Sequence, residues 1–295
     1  MRGTIQLAGV NIVTHPHSAQ GYVELLKTMF NERRHVPMRG AQHLMLGELK
    51  PISDIGGDAG LFGRLYRFVH VDKDAPWFNV TRHDEATREE LSRISLPDEL
   101  RPNTETFDFV FYPRGHSFYI NTRSGNRVNG KRHSIGVGQV VKLLKTLASL
   151  PAIEHRFGVV EITALPDQEQ LERILSIHTL NKLVIEVSKP NPDELGQAQA
   201  KVFDRLSGMK ARKLKQELLA ERHESITVDD DTRTLARVAA GNGKVVGYGY
   251  TQNNKKVEES TLAKPWTDRV PYDSDIQTEA DALMSATAAL PGHGG

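Results

Sequence analysis

The sequence predicts an α+β protein of small mixed or antiparallel sheets covered by helices, with ferredoxin-like units among them. Three observations predict it. Gly3 to Val13 sets Ile5, Leu7 and Gly9 against Gln6, Ala8 and Val10, the period of a strand. Tyr22, Leu25, Leu26, Met29 and Phe30 then recur at helical spacing. Further on, short apolar runs come in pairs separated by turn residues, as antiparallel hairpins require.

The elements follow in order. Thr14 to Ser18 is a turn, in which Pro16 disfavours helix at His15 and Ser18 caps a helix over 19–33. His43–Ile52 and Leu61–Val71 read as strands joined by the loop Ser53–Gly60, giving a β-α-β-β opening with a helix on one face. Asp84 to Pro97 is charge-rich and reads as a surface helix. Thr106–Tyr112 and Ser117–Thr122 pair around Pro113–His116, and Ser124–Lys131 is a polar loop. A helix over 137–150 ends before Pro151.

Val159–Thr163, a helix capped by Asp167 with Leu171, Ile174 and Leu175 inward, and Leu180–Val187 read as a βαβ unit stopped by Pro190, Asn191 and Pro192. Leu195 to Arg222 reads as a long helix, or two broken at Gly208, with Leu195, Ala198, Val202, Leu206 and Met209 as its core stripe. Lys244–Thr251 and Lys255–Thr261 form a hairpin around Asn253 and Asn254. From Ala263, alanines, prolines and polar residues suggest a loosely attached tail with a mobile end at Pro291–Gly295. The expected division is an N-terminal lobe over 1–155, a C-terminal lobe over 156–262, and the tail over 263–295.

Composition narrows the function classes. With 295 residues, 38% hydrophobic and 25% charged, the chain builds a core. It has no cysteine, which excludes disulfides, thiolate metal sites, iron–sulfur clusters and cysteine nucleophiles, and fits the cytoplasm. No apolar run approaches the roughly 20 residues of a membrane span, and no secretory h-region is present, so neither membrane nor secretion is expected. A net charge of +1 points to no partner by itself.

The charge distribution says more. No Asp or Glu stands between Asp108 and Glu154, an interval holding Arg114, Arg123, Arg127, Lys131, Arg132, Lys142, Lys145, His116 and His133. Tyr112, Phe118 and Tyr119 are interleaved. Cations hold phosphates regardless of base, and aromatic faces stack on unpaired bases. The expectation is single-strand or RNA contact through Tyr112, Arg114, Tyr119, Arg123, Arg127, Lys131 and Arg132. The plainer reading makes the aromatics core residues and the loop a solvated turn. No RNP1 motif occurs.

His15 and His17, two apart on extended chain, face opposite ways, a poor chelate; a metal would need Asp72 or Asp74 as well, and none is expected. Either histidine, or His116, suits general acid–base work in metal-free RNA cleavage. Gly241–Lys244 and Gly247–Gly249 match neither a P-loop nor a dinucleotide fingerprint; a helix end and tight turn is the plainer reading, and a close approach to phosphate the other. Asp229, Asp230 and Asp231 read as a helix cap rather than a cation site. No G-x-S-x-G, H-E-x-x-H or EF-hand pattern occurs, and no cofactor is expected.

Five segments carry a resemblance: NIVTHPHS from Asn11, DAPWFNV from Asp74, LRPNTETFDFVF from Leu100, LERILSIHTLNKLVIEVSKPNPDEL from Leu171, and RTLARVAAGNGKVVGYG from Arg233. Together they resemble a bacterial domain-of-unknown-function family associated with mobile elements and phage-defence gene neighbourhoods. The resemblance spans nearly the whole chain. It implies a bacterial cytosolic setting and a link to nucleic acid or antiviral function, and it transfers no catalytic residues.

The leading expectation is a nucleic-acid-binding accessory or sensor protein. A metal-independent endoribonuclease is the enzyme alternative. The third is an interaction subunit binding a protein partner or a second copy, through Leu214, Leu218 and Leu219 if they form a second apolar stripe beside Lys210, Arg212, Lys213 and Lys215.

Overall fold

The computed structural model describes residues 2–290 except 16, 53–59, 73, 96, 98 and 191–195. The expected loop at Ser53–Gly60 falls almost wholly outside the described residues. So do Pro16, Asn191, Pro192, Leu195 and the end Pro291–Gly295.

The elements run β1 (Arg2–Val13), α1 (Ala19–Asn31), β2 (His35–Pro37), β3 (Gln42–Pro51), β4 (Leu61–Val69), β5 (Phe78–Asn79), β6 (Asp84–Glu85) and α2 (Arg88–Ser92). Next come β7 (Glu105–Tyr112), β8 (Ser117–Asn121), α3 (Val137–Ala148), α4 (Pro151–Phe157), β9 (Glu161–Ala164) and α5 (Gln168–Leu175). The chain continues through β10 (Thr179–Ser188), α6 (Gln197–Gly208), β11 (Lys213–Leu219) and α7 (Asp230–Gly241). It ends with β12 (Gly243–Tyr250), β13 (Lys256–Ser260), β14 (Thr267–Asp273) and α8 (Glu279–Ala288).

The α+β class holds, with every described strand pairing antiparallel. Among the described residues, eight strands form one sheet in the order β14-β1-β8-β7-β4-β3-β2, with β9 also on β1. The second sheet runs β11-β10-β12-β13. Its strands lie between β9 and β14 in the chain, so the first sheet is opened and later closed around it. The opening β-α-β-β is not a self-contained ferredoxin-like unit, because β8 and β7 separate β1 from β4.

Both faces of the first sheet are covered near β1. Ala8, Val10 and Ile12 pack with Tyr22, Leu25, Leu26 and Met29 of α1 and with α3. Ile5 and Leu7, on the opposite face, meet Leu283 and Ala282 of α8. Ser18 caps α1, accepting from the Gly21 N–H at 3.0 Å, as its position predicts. In the second sheet, Leu183, Ile185 and Val187 of β10 bury against Val202 and Leu206 of α6 and Ala236 and Ala239 of α7.

The structure corrects the following expectations. The tail is not loose: β14 pairs with β1 from Arg2↔Asp273 to Ala8↔Thr267, and Leu283 is fully buried. A strand as long as β1 has edge hydrogen bonds to satisfy on both sides, and β14 satisfies one of them. Second, β9 and β10 are not one βαβ unit: β9 pairs with β1 while β10 enters the second sheet. The division expected after residue 155 falls inside α4, which packs on α1 and α3.

Third, the helix expected to run to Arg222 stops at Gly208, and residues 213–219 form β11. Leu214 and Leu218 face the second core, whereas Leu219 is 69% exposed on the other side. A period-two strand separates residues that a helix would gather, so the proposed partner seam does not form. Fourth, the surface helix expected over 84–97 shrinks to α2, closed by a Thr87–Glu90 capping box. Among the described residues no helix is long and apolar enough to cross a membrane.

Candidate functional site: a basic cleft between the sheets

At the end of β1 the chain turns under tight control. Thr14 donates its N–H to the Tyr22 hydroxyl at 3.1 Å, and its Oγ1 donates to the Phe157 carbonyl at 2.9 Å. This sends His15 toward the second sheet, where a ring N–H donates to the Lys189 backbone carbonyl. Its Nε2 is buried with no hydrogen-bond partner. Burial holds the imidazole below its usual titration range; the Lys189 carbonyl opposes this, while the charges of Lys189 and His17 add to it. The shift favours the neutral imidazole.

His15 lines a cavity of about 410 Å³ with Glu161, Lys189, Ser207, Lys210 and Arg212. Ser207 Oγ, in the same wall, is also buried without a partner. Leaving such an atom unmatched costs about 1–3 kcal/mol, and both belong to residues that line this cavity. Three cationic side chains face one carboxylate here. Arg212 reaches Glu161 only at 3.8 Å, and the Lys189 ammonium lies 4.5 Å from the centre of the Phe203 ring.

Lys210 is held at a backbone cost. It follows α6 with φ of +52°, in a Schellman turn where Lys210 N–H bonds Ser207 O and Ala211 N–H bonds Leu206 O. Glycine usually occupies such a position, because a side chain there costs roughly 1 kcal/mol. An outlier of this kind, aimed at a cavity, is evidence for a role of the side chain.

The other two candidate histidines are brought together apart from this cavity. His17 joins the Tyr22 hydroxyl through Nδ1 and His116 through Nε2, each at 3.0 Å. Tyr22 and His116 are buried, and His116 sits at φ of +49°. As a catalytic candidate His116 is therefore corrected: no surface remains for a substrate, and its ring positions His17.

The basic interval is also rearranged. Val128 and Lys131 bridge across Asn129–Gly130, both at positive φ, which makes a type I′ hairpin turn. The Asn-Gly pair signals such a turn, and the segment had been read only as a polar loop. Arg127 and Lys131 stand exposed at its tip, and Arg114 is exposed nearby in sequence. Arg123 is half-buried. Arg132 is ion-paired with Glu279 of α8. His133 meets Glu105, which also binds the buried Arg67.

Tyr119 is 5% exposed, edge-on to Trp266, and Tyr112 bonds Thr287 of α8 at 2.9 Å. Burial raises the Tyr112 hydroxyl above its usual titration range. Tyr119 offers no free face for a base, which corrects it as a stacking residue, while Tyr112 is half-buried with its hydroxyl held by α8. Arg132 and His133 found carboxylates on other elements, and Phe118 and Tyr119 found the core.

Asp229 is a cap, its Oδ1 accepting the Thr232 N–H at 2.7 Å; the Thr232 hydroxyl, and then that N–H, lower its carboxyl below the usual range. The glycines of β12 serve close strand packing: a Cβ at Gly243 would collide with the Glu186 carbonyl, and one at Gly249 with the Thr179 carbonyl. No phosphate is needed to explain them. Lys189, Ser207 and Arg212 were missed as site residues. The sequence shows Lys210 and Arg212 as part of a basic cluster on an expected helix.

Residues 3–288 match the model of a family described as Domain of unknown function (DUF4747). No curated protein matches the sequence.

Proposed function

The chain belongs to the DUF4747 family, and on that premise we propose that it binds single-stranded nucleic acid, RNA in the first instance, in the cleft between its two sheets. The observation that carries this reading is the cavity in which Lys189, Lys210 and Arg212 stand around a single carboxylate, Glu161, with His15 and Ser207 beside them. The lysines and arginine suit phosphate oxygens, and the His15 and Ser207 side chains suit a sugar hydroxyl, which RNA carries and DNA lacks at the 2′ position. The family resemblance adds a bacterial cytosolic setting and a part in phage defence to this reading.

Fluorescence anisotropy with a labelled 12-nucleotide RNA tests it. Affinity falls with salt by about 0.7 log units per log unit for each phosphate neutralised on a single strand. Lys189→Glu with Lys210→Glu abolishes binding at moderate salt. Wild-type affinity in that variant would sink the proposal.

One observation favours cleavage as well as binding. Burial favours the neutral His15 imidazole, the form a general base needs. In that reading the imidazole takes the proton of a ribose 2′-hydroxyl, whose oxygen attacks the adjacent phosphorus. The bond to the 5′-oxygen breaks, that oxygen takes a proton from water, and a 2′,3′-cyclic phosphate remains. Lys189 and Lys210 stabilise the added negative charge. Cleavage that survives EDTA and vanishes in His15→Ala supports this; cleavage that needs a divalent metal defeats it.

A further inference from the structure

Away from the cleft, the first sheet carries three histidines on one face. His43 lies opposite Phe68 in the β3–β4 register, His35 precedes Val36 on β2, and His70 follows β4 with its N–H on the Ala41 carbonyl. Val36, Leu44 and Leu65 point into the α1 core, so the intervening His35, His43 and Phe68 point the other way. Phe62, further along β4 on that same outer face, packs with α8. The histidine end instead leaves His35 exposed and His43 and His70 half-buried.

The rings form an array. His35 and His70 stack with centroids 5.7 Å apart, His43 and His70 lie 4.9 Å apart, and both His35 and His43 contact Phe68. His35 Nδ1 and His43 Nδ1 are 2.7 Å apart, so one carries a proton that the other accepts. His70 Nδ1 is buried without a partner. The charges acting on His35 are those of His70, Arg101 and Arg34, and those acting on His43 are His35, His70 and Arg101. Arg33, Arg34 and Arg39 are exposed around the same edge.

Two occupants suit clustered imidazoles: a transition metal and a polyanion. The surrounding charges decide between them. Arg34 and Arg101 repel a cation and attract a phosphate, and among the described residues no three His, Asp or Glu side chains take up a metal-ligating arrangement. Flat rings beside guanidinium groups are what an unpaired, phosphate-linked base recognises.

The geometry points to a second nucleic-acid contact at His35, His43 and His70, where unpaired bases stack on the imidazoles and their phosphates meet Arg34 and Arg101. This rests on the reading of the protein as a single-strand binder, and adds a site that couples binding to pH. Burial, then the neighbouring cations, hold His35 and His43 below their usual titration range. A phosphate beside them reverses that effect, so binding takes up protons. Affinity at this site rises as pH falls from 8 to 6, by up to about tenfold per pH unit for each proton taken up.

The test is anisotropy of the full chain with a labelled 12-nucleotide RNA and an abasic strand of equal length, at pH 6 and pH 8. Variants are His35→Gln/His43→Gln/His70→Gln, the exposed His35→Gln alone in case the triple change unfolds the chain, and the cleft variant Lys189→Glu/Lys210→Glu. Wild type binds RNA more tightly at pH 6. The histidine variants lose that pH dependence, and the triple variant weakens RNA binding about tenfold. At pH 8, where the imidazoles are uncharged in this reading, the abasic strand shows no loss between wild type and variant. A histidine variant that keeps wild-type affinity and pH profile overturns this inference and leaves the cleft reading standing. Loss in the histidine variants with an unaffected cleft variant supports this site and removes the cleft. No binding of RNA by wild type at low salt overturns both.

Discussion

The imidazole of His15 is tethered to the backbone of Lys189, across the seam between the two sheets. Neither residue is near the other in sequence, and neither sheet alone contains the pair. The seam is also crossed by Asn11, whose amide donates to the Gly241 carbonyl and to Asn242 Oδ1 at 3.4 Å each, and by the Arg212–Glu161 contact. The cleft is therefore a property of how the sheets dock.

His15 makes stability depend on pH. Its folded value lies below the unfolded one, so the unfolded chain binds more protons between the two. The contribution is fully present above the unfolded value near 6.5 and is lost as pH falls through the folded value. Denaturant midpoints of wild type should decline from pH 7.5 to 5.5, and His15→Asn should decline less. An unchanged slope would show that His15 is not held neutral.

The Arg67–Glu105 pair is buried, with 6% and 4% exposure, and Glu105 also receives His133. Glu105→Gln leaves the guanidinium buried and uncompensated. A loss of about 3–5 kcal/mol is expected by urea unfolding. A loss under about 1 kcal/mol would mean that water reaches Arg67.

Lys210→Gly should separate stability from binding. Glycine relieves the positive φ, for a gain of about 0.5–1 kcal/mol. The same change removes a cation from the cleft and should weaken RNA binding and flatten its salt dependence. Equal binding by Lys210→Gly would exclude the side chain from the interface.

Leu283→Ala should cost about 2–5 kcal/mol, because the side chain is fully buried between α8 and the sheet. Removal of residues 263–295 should leave an aggregating or unfolded chain, with Ile5, Leu7, Phe62 and Val110 uncovered. A folded truncated protein with an unchanged midpoint would restore the loose-tail reading.

Much of the local structure was legible because it depends on neighbours in the chain. Ser18, Asp167 and Asp229 each cap the helix that follows, as side chains within three residues of the N–H groups they accept from. The strands at 106–112, 117–121 and 243–250 and the α1 stripe follow the periods of their sequences. Residues 213–219 were misread because KLKQELL fits either period; pairing with β10 along Lys182↔Leu219 to Ser188↔Lys213 decides for strand.

The sequence by itself determined the α+β class, the caps and most strand positions, because hydrophobic period and capping chemistry act over a few residues. Only the tertiary structure decided which charges remain available for a ligand. The carboxylate-free interval looked like the binding surface, yet Glu279 comes from α8 to meet Arg132, and Glu105 takes His133. Lys189 is about twenty residues from Lys210 and Arg212 in sequence, yet all three share a cavity with one carboxylate. Coulomb attraction and desolvation act through space over a few ångströms, and sheet docking sets those distances.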